Sequence, residues 1–118
     1  MALRQTLLET SAEQVPAPLA KRVAEFCAAI PEIRAAFVGL TETSRDFELP
    51  TRQLSVAFEL SEPSSQTEEG GRELRLVADR FYDVMPEEVQ AGGCNFLEPG
   101  ATSVWEQKAR RVYPVPGV

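Results

Sequence analysis

The run Trp105, Lys108, Arg110, Arg111 and Tyr113 interleaves aromatic rings with cations, a pattern that can stack a base or grip an anion. Three cations make a weak electrostatic footprint. The same residues suit a closing edge segment that packs Trp105 and Tyr113 on the core and leaves its charges in water. These five are the candidate contacts for a partner or ligand, and the packing role is the expectation favoured for them.

Other chemistry is thinner. The chain has no histidine, which removes the usual serine and cysteine triads, the commonest metal ligand and the usual acid–base group near neutrality. Cys27 falls by an apolar helical stripe and Cys94 in a short apolar run, so both read as core thiols with no base to lower their pKa. Glu68-Glu69 and Glu87-Glu88 are adjacent carboxylates beside turn signals. Neighbouring side chains diverge, whereas a catalytic pair must converge, so these read as solvated charge. Gly70-Gly71 ahead of a helix lacks the spacing of a phosphate loop, and Glu68, Glu69 and Glu73 would repel phosphate. It reads as a flexible helix entry. No catalytic, cofactor-binding or metal residue is assigned.

The elements that must position these residues follow from periodicity. Leu3 to Glu9 carries a weak strand pattern. Thr10 and Glu13 match a capping box, but Pro16 and Pro18 deny the donors that a helix begun there needs; the helix is expected to start at Pro16 to Pro18 instead. Leu19, Val23, Phe26 and Ile30 form its apolar stripe, opposite Lys21, Arg22 and Glu25, and Pro31 stops it. Ile33 to Glu42 is apolar on both parities, as in a strand covered on both faces. Thr43 to Gln53 reads as a long polar connector with a mobile tip. Leu54, Val56, Phe58 and Leu60 alternate with Ser55, Ala57 and Glu59, a strand paired antiparallel with the one before.

Ser61 to Gly71 is a linker by composition. Leu74, Val77, Ala78, Phe81, Val84 and Met85 then line a second amphipathic helix, ended by Pro86. Gly92-Gly93 and Pro99-Gly100 mark turns around a short strand, Cys94 to Leu97. The remainder places Val104, Trp105, Val112, Tyr113 and Val115 around the basic stretch.

Hydrophobic residues make up 43% of the chain and charged ones 25%, an ordinary globular balance. Residues 1–118 are expected to form one domain, large enough for a core without staples. The predicted fold class is α+β: an antiparallel or mixed sheet of about four to five strands with two amphipathic helices on one face. The split βαβ arrangement is one topology that satisfies this order. A net charge of −6 opposes nucleic acid and anionic lipid. With no export signal, no run long enough to span a bilayer and two cysteines, the chain is expected to be cytoplasmic.

An amphipathic helix ending in Pro31, the strand Pro31-Glu32-Ile33-Arg34-Ala35-Ala36-Phe37-Val38, the strand Leu54 to Leu60, a second helix and a terminal Val-Tyr-Pro-Val together resemble the C-terminal domain of the enhanced serine sensitivity (SseB-like) family. The resemblance covers about residues 3 to 115, without the N-terminal domain of the two-domain members. It implies a bacterial cytoplasmic α+β module with no established catalytic residues to carry over. The expected function is a non-enzymatic protein-interaction module, working with a protein partner or by self-association and needing no metal or cofactor; the alternative is a small-molecule-binding or regulatory domain.

Overall fold

Apolar residues on both parities make Ile33–Ser44 the centre of the sheet, and every other strand but one pairs with it. In the computed structural model, residues 4–62, 68–90 and 92–114 are described. The elements are β1 Arg4–Leu8, α1 Ala17–Ala28, β2 Ile33–Ser44, β3 Thr51–Leu60, α2 Glu68–Val84, α3 Glu87–Gln90, β4 Cys94–Leu97, α4 Ser103–Lys108 and β5 Arg110–Tyr113. β2 pairs antiparallel with β3 along one edge; its other edge is shared by β1 over Leu40 to Ser44 and β5 over Ala36 to Val38. β4 lies parallel to β3, because the chain returns through a helical crossover and not a hairpin. The fold is a mixed five-stranded sheet. β1 beside β2, and β4 parallel to β3, depart from the split βαβ order.

α1 and α2 cover one face. Leu19, Val23, Phe26, Cys27 and Ile30 from the first helical segment meet Ala36, Val38, Val56 and Phe58 from the sheet and Phe81 and Met85 beyond them. Phe26, Phe58 and Phe81 form a ring cluster with centroids 5.6 to 6.1 Å apart, largely edge to face, as their quadrupoles prefer. Pro16 precedes the first turn of α1, and the helix ends before Pro31, as those prolines require.

The second face is smaller: Ala35, Phe37 and Ala57 lie under Leu97, Trp105 and Ala109. Gly39 is what lets Trp105 come down. A Cβ there would sit 2.7 Å from Leu7 Cδ1, 3.0 Å from Ala109 Cβ and 3.1 Å from Trp105 Cζ3. A bulge between Ile33 and Ala35 shifts the register of β2, so Ile33 belongs to the first cluster and Ala35 to the second.

Several expectations change. The long connector is a six-residue turn, 45–50, since Thr43, Thr51, Arg52 and Gln53 all lie in the β2–β3 ladder. β-branched threonines extend the strands where the polar pattern suggested a loop. Ser55 and Glu59 are buried, Ser55 bonded to Thr41 Oγ1 and Gly92 O and Glu59 held by the turn at 98–101. Gly70 and Gly71 lie within α2 and do not precede it, so the linker shortens; its residues 63–67 lie outside the described residues, as do Leu3 and Val115. Val84 is 43% exposed and leaves the predicted stripe. A single 3₁₀ turn, Ala12–Gln14, precedes α1. Gln14 Oε1 accepts the Ser11 N–H at 2.8 Å, one position on from the Thr10 and Glu13 match that gives way to a start at Pro16 to Pro18. Thr10 instead accepts Leu40 N–H on its hydroxyl at 2.8 Å and donates its own N–H to Lys108 O at 2.7 Å, closing the gap between β1 and β5.

Candidate functional site

The aromatic–cation run does not form one surface. Trp105 packs on the second face against Ala35, Phe37 and Ala57, whereas Tyr113 packs against the first cluster. Lys108 Nζ donates to Leu7 O at 3.3 Å and so fastens α4 to β1. Arg110 and Arg111 are exposed in β5, opposite Val38 and Phe37.

Among the described residues the buried carboxylate is Glu59. It accepts hydrogen bonds from Arg34, which the β2 bulge places beside it, and from Gly100 N–H at 2.8 Å. Burial alone pushes Glu59 up. The Arg34 hydrogen bond, the Gly100 N–H and the guanidinium charge outweigh that, and the carboxyl lies below its ordinary value. Both bonds fall on Glu59 Oε2, and the one from Gly100 ties β3 to the turn at 98–101, where Gly100 takes a positive φ of 81°. The thiols carry no activation. Burial pushes Cys27 up to about 12. It raises Cys94 as well, against weaker lowering by a backbone N–H and Tyr82. Glu87 is exposed, and the side chains of Glu68, Glu69 and Glu88 lie outside the described residues. Among the described residues, no three His, Cys, Asp or Glu groups converge as metal ligands would, and no helix is long and apolar enough to cross a membrane.

What the structure adds is a groove that the periodicity did not show. α2 has 17 residues and is about 25 Å long, but it is held at one end. Phe81 and Met85 are buried there. Gln90 Nε2 donates to Tyr82 O at 3.0 Å and Met85 O at 2.6 Å, capping the last carbonyls. Arg22 reaches across from α1 to Val84 O at 3.3 Å. Towards its start α2 stands off: Leu74 and Val77 are half-buried, and Leu76 is 64% exposed.

Between this half of α2, the end of α1 and the ends of β2 and β3 lies a space of about 710 Å³. Ile30, Ile33, Leu60 and Phe96 line it from the sheet side, and Leu74, Leu76 and Val77 from the helix. Glu32, Glu62, Glu73 and Arg80 are the charged residues of the lining among those described. Ser61 clips the strand ends below, its N–H on Glu32 O at 2.8 Å and its hydroxyl on Pro31 O at 3.0 Å. A second hollow of about 500 Å³ continues between the helices over Phe26 and shares Ala29 and Arg80 with the first. Leu76 is the residue that sequence reasoning missed. It is a large apolar side chain off the stripe of its own helix, and that misfit was the available signal.

Comparison with protein-family models, with curated proteins and with solved structures finds no match to this chain.

Proposed function

We propose that this chain is a non-enzymatic protein-interaction module that receives a partner in the furrow between α1 and α2. The single observation that carries the reading is the one-ended attachment of α2. A helix with apolar residues on two sides is anchored through Phe81 and Met85, while its Leu76 side chain is 64% exposed at the groove. Such an open apolar channel between two helices is the form that accepts a third helix or an extended segment. The commitment of Glu59, Cys27 and Lys108 to packing and hydrogen bonds supports the same reading, as does the resemblance to the SseB-like C-terminal domain. The proposed setting is a bacterial cytoplasm, to which two free thiols are suited.

A photo-crosslinking residue placed at Leu76 tests this in the producing cell. The expected product is one discrete protein adduct, absent when the same residue is placed at Arg110. A small-molecule reading has one observation in its favour, since 710 Å³ falls in the range of ligand pockets. A stoichiometric metabolite seen by native mass spectrometry, with no protein adduct at position 76, would establish it over the interaction reading.

A further inference from the structure

We infer that the partner segment is a basic amphipathic helix, its apolar side against Leu74, Leu76 and Val77 and its Lys or Arg side chains against Glu32, Glu62 and Glu73. This rests on the interaction reading above and specifies its partner. Charge decides the sign. Among the described residues the main groove is bordered by three carboxylates and one guanidinium, Arg80, and none of the four is in an ion pair. An apolar floor with a net acidic border repels an acidic segment and attracts a basic one. In the second hollow Arg22, which donates to Val84 O, is matched by Glu25, so the excess of carboxylates lies in the main groove, near the ends of β2 and β3.

Shape decides the class. A small ligand needs most of its surface enclosed, whereas this furrow leaves Leu76 64% exposed at its lip and runs on into the second hollow. An elongated occupant fits a channel between two helices, and in helical form it satisfies its own backbone donors and acceptors against an apolar floor.

The test uses two 18-residue helical peptides with the same leucine face, one with lysine on the polar side and one with glutamate, titrated by fluorescence anisotropy against the full chain. The lysine peptide is expected to bind and the glutamate peptide to bind at least about tenfold more weakly, with the difference shrinking as salt is raised. In the triple variant Glu32→Lys, Glu62→Lys, Glu73→Lys the preference should reverse. Leu76→Asp should abolish binding of the lysine peptide while circular dichroism shows the fold retained. Equal binding of both peptides, or a preference that the triple variant leaves unchanged, overturns the basic partner. Self-association that Leu76→Asp abolishes overturns it too, in favour of a second copy. A protein adduct at position 76 together with any of these results leaves the interaction reading standing; loss of both the adduct and peptide binding removes the two together.

Discussion

Two side chains show how burial sets reactivity in this molecule. Cys27 is wholly enclosed by the first cluster, and its thiol is pushed up to about 12, so neither access nor thiolate fraction favours attack. Native labelling with a thiol reagent should modify the half-buried Cys94 first and leave Cys27 intact until denaturant is added; rapid native modification of Cys27 would contradict its enclosure. Glu59 carries the opposite shift. Its carboxyl is held below the ordinary value of 4.5 when folded, so the stabilisation is fully present above the unfolded pKa and is lost as pH falls through the folded one. The melting temperature of the native chain should therefore drop as pH is lowered beneath that ordinary value. In Glu59→Gln the starting stability should be lower by about 1–3 kcal/mol, and the acid limb flatter. A variant whose acid limb matches the native one would show that the Arg34 and Gly100 contacts contribute nothing to it.

At the scale of elements, what was legible in the sequence divides by length. α1 and the ladder of β2 with β3 were readable, because Leu19 to Ile30 and Leu54 to Leu60 sustain a period over several repeats. α4 has six residues and α3 four, too few for a period to emerge, and it is α4 that covers the second face. Without that layer and the turns at Gly92 and Gly100, Ser55, Ala57 and Glu59 read as the wet side of a strand. Trp105 was recognisable as a packing residue, but its seat was not, since the seat is made by Gly39, a residue that signals nothing by type alone. The furrow was illegible for a related reason: it depends on where α2 stops touching the sheet, and Leu74 and Val77 have the same pattern as Phe81 and Met85.

The same element scale gives a graded test of packing. Gly39→Ala pushes a methyl against side chains, Leu7 and Trp105 among them, which can yield. Gly92→Ala places its Cβ 2.1 Å from Leu54 O and 2.5 Å from Ser55 Oγ, where the backbone of a central strand cannot. Ser55 also donates to Gly92 O at 2.9 Å and meets Thr41 Oγ1 at 2.8 Å, so displacement would break a buried polar pair. Denaturant titration should find Gly39→Ala costing about 1–3 kcal/mol and Gly92→Ala more. Trp105→Ala should cost about 2–4 kcal/mol, whereas Arg110→Ala and Arg111→Ala, on exposed side chains, should stay within about 0.5 kcal/mol. An unchanged stability for both Gly39→Ala and Trp105→Ala would mean that the second face is not a packed layer, and a Gly39→Ala costlier than Gly92→Ala would mean that the side chains around Gly39 cannot yield.

For the molecule as a whole, the decisive asymmetry is between its two long helices. α1 buries a full stripe, from Leu19 to Cys27, against β2 and β5, and opening it exposes most of the first cluster. α2 buries Phe81, with Met85 just beyond its end, and is fastened there by Gln90 and Arg22. From Gly71 to Val77 its residues are half-buried or exposed, and a helix without tertiary support is marginal in water. Amide protection measures the free energy of opening each segment, so hydrogen exchange should divide α2 in two. Amides from Arg72 to Val77 should exchange far faster than those of α1, and protection should rise from Arg80 onward to approach the level of the core. Occupation of the furrow should then raise protection in the first half alone, because the second half is already held. Protection that is uniform along α2 and equal to that of α1 would mean that the helix is docked over its whole length. The furrow would then be closed in solution, and the surface on which the proposed function rests would not exist.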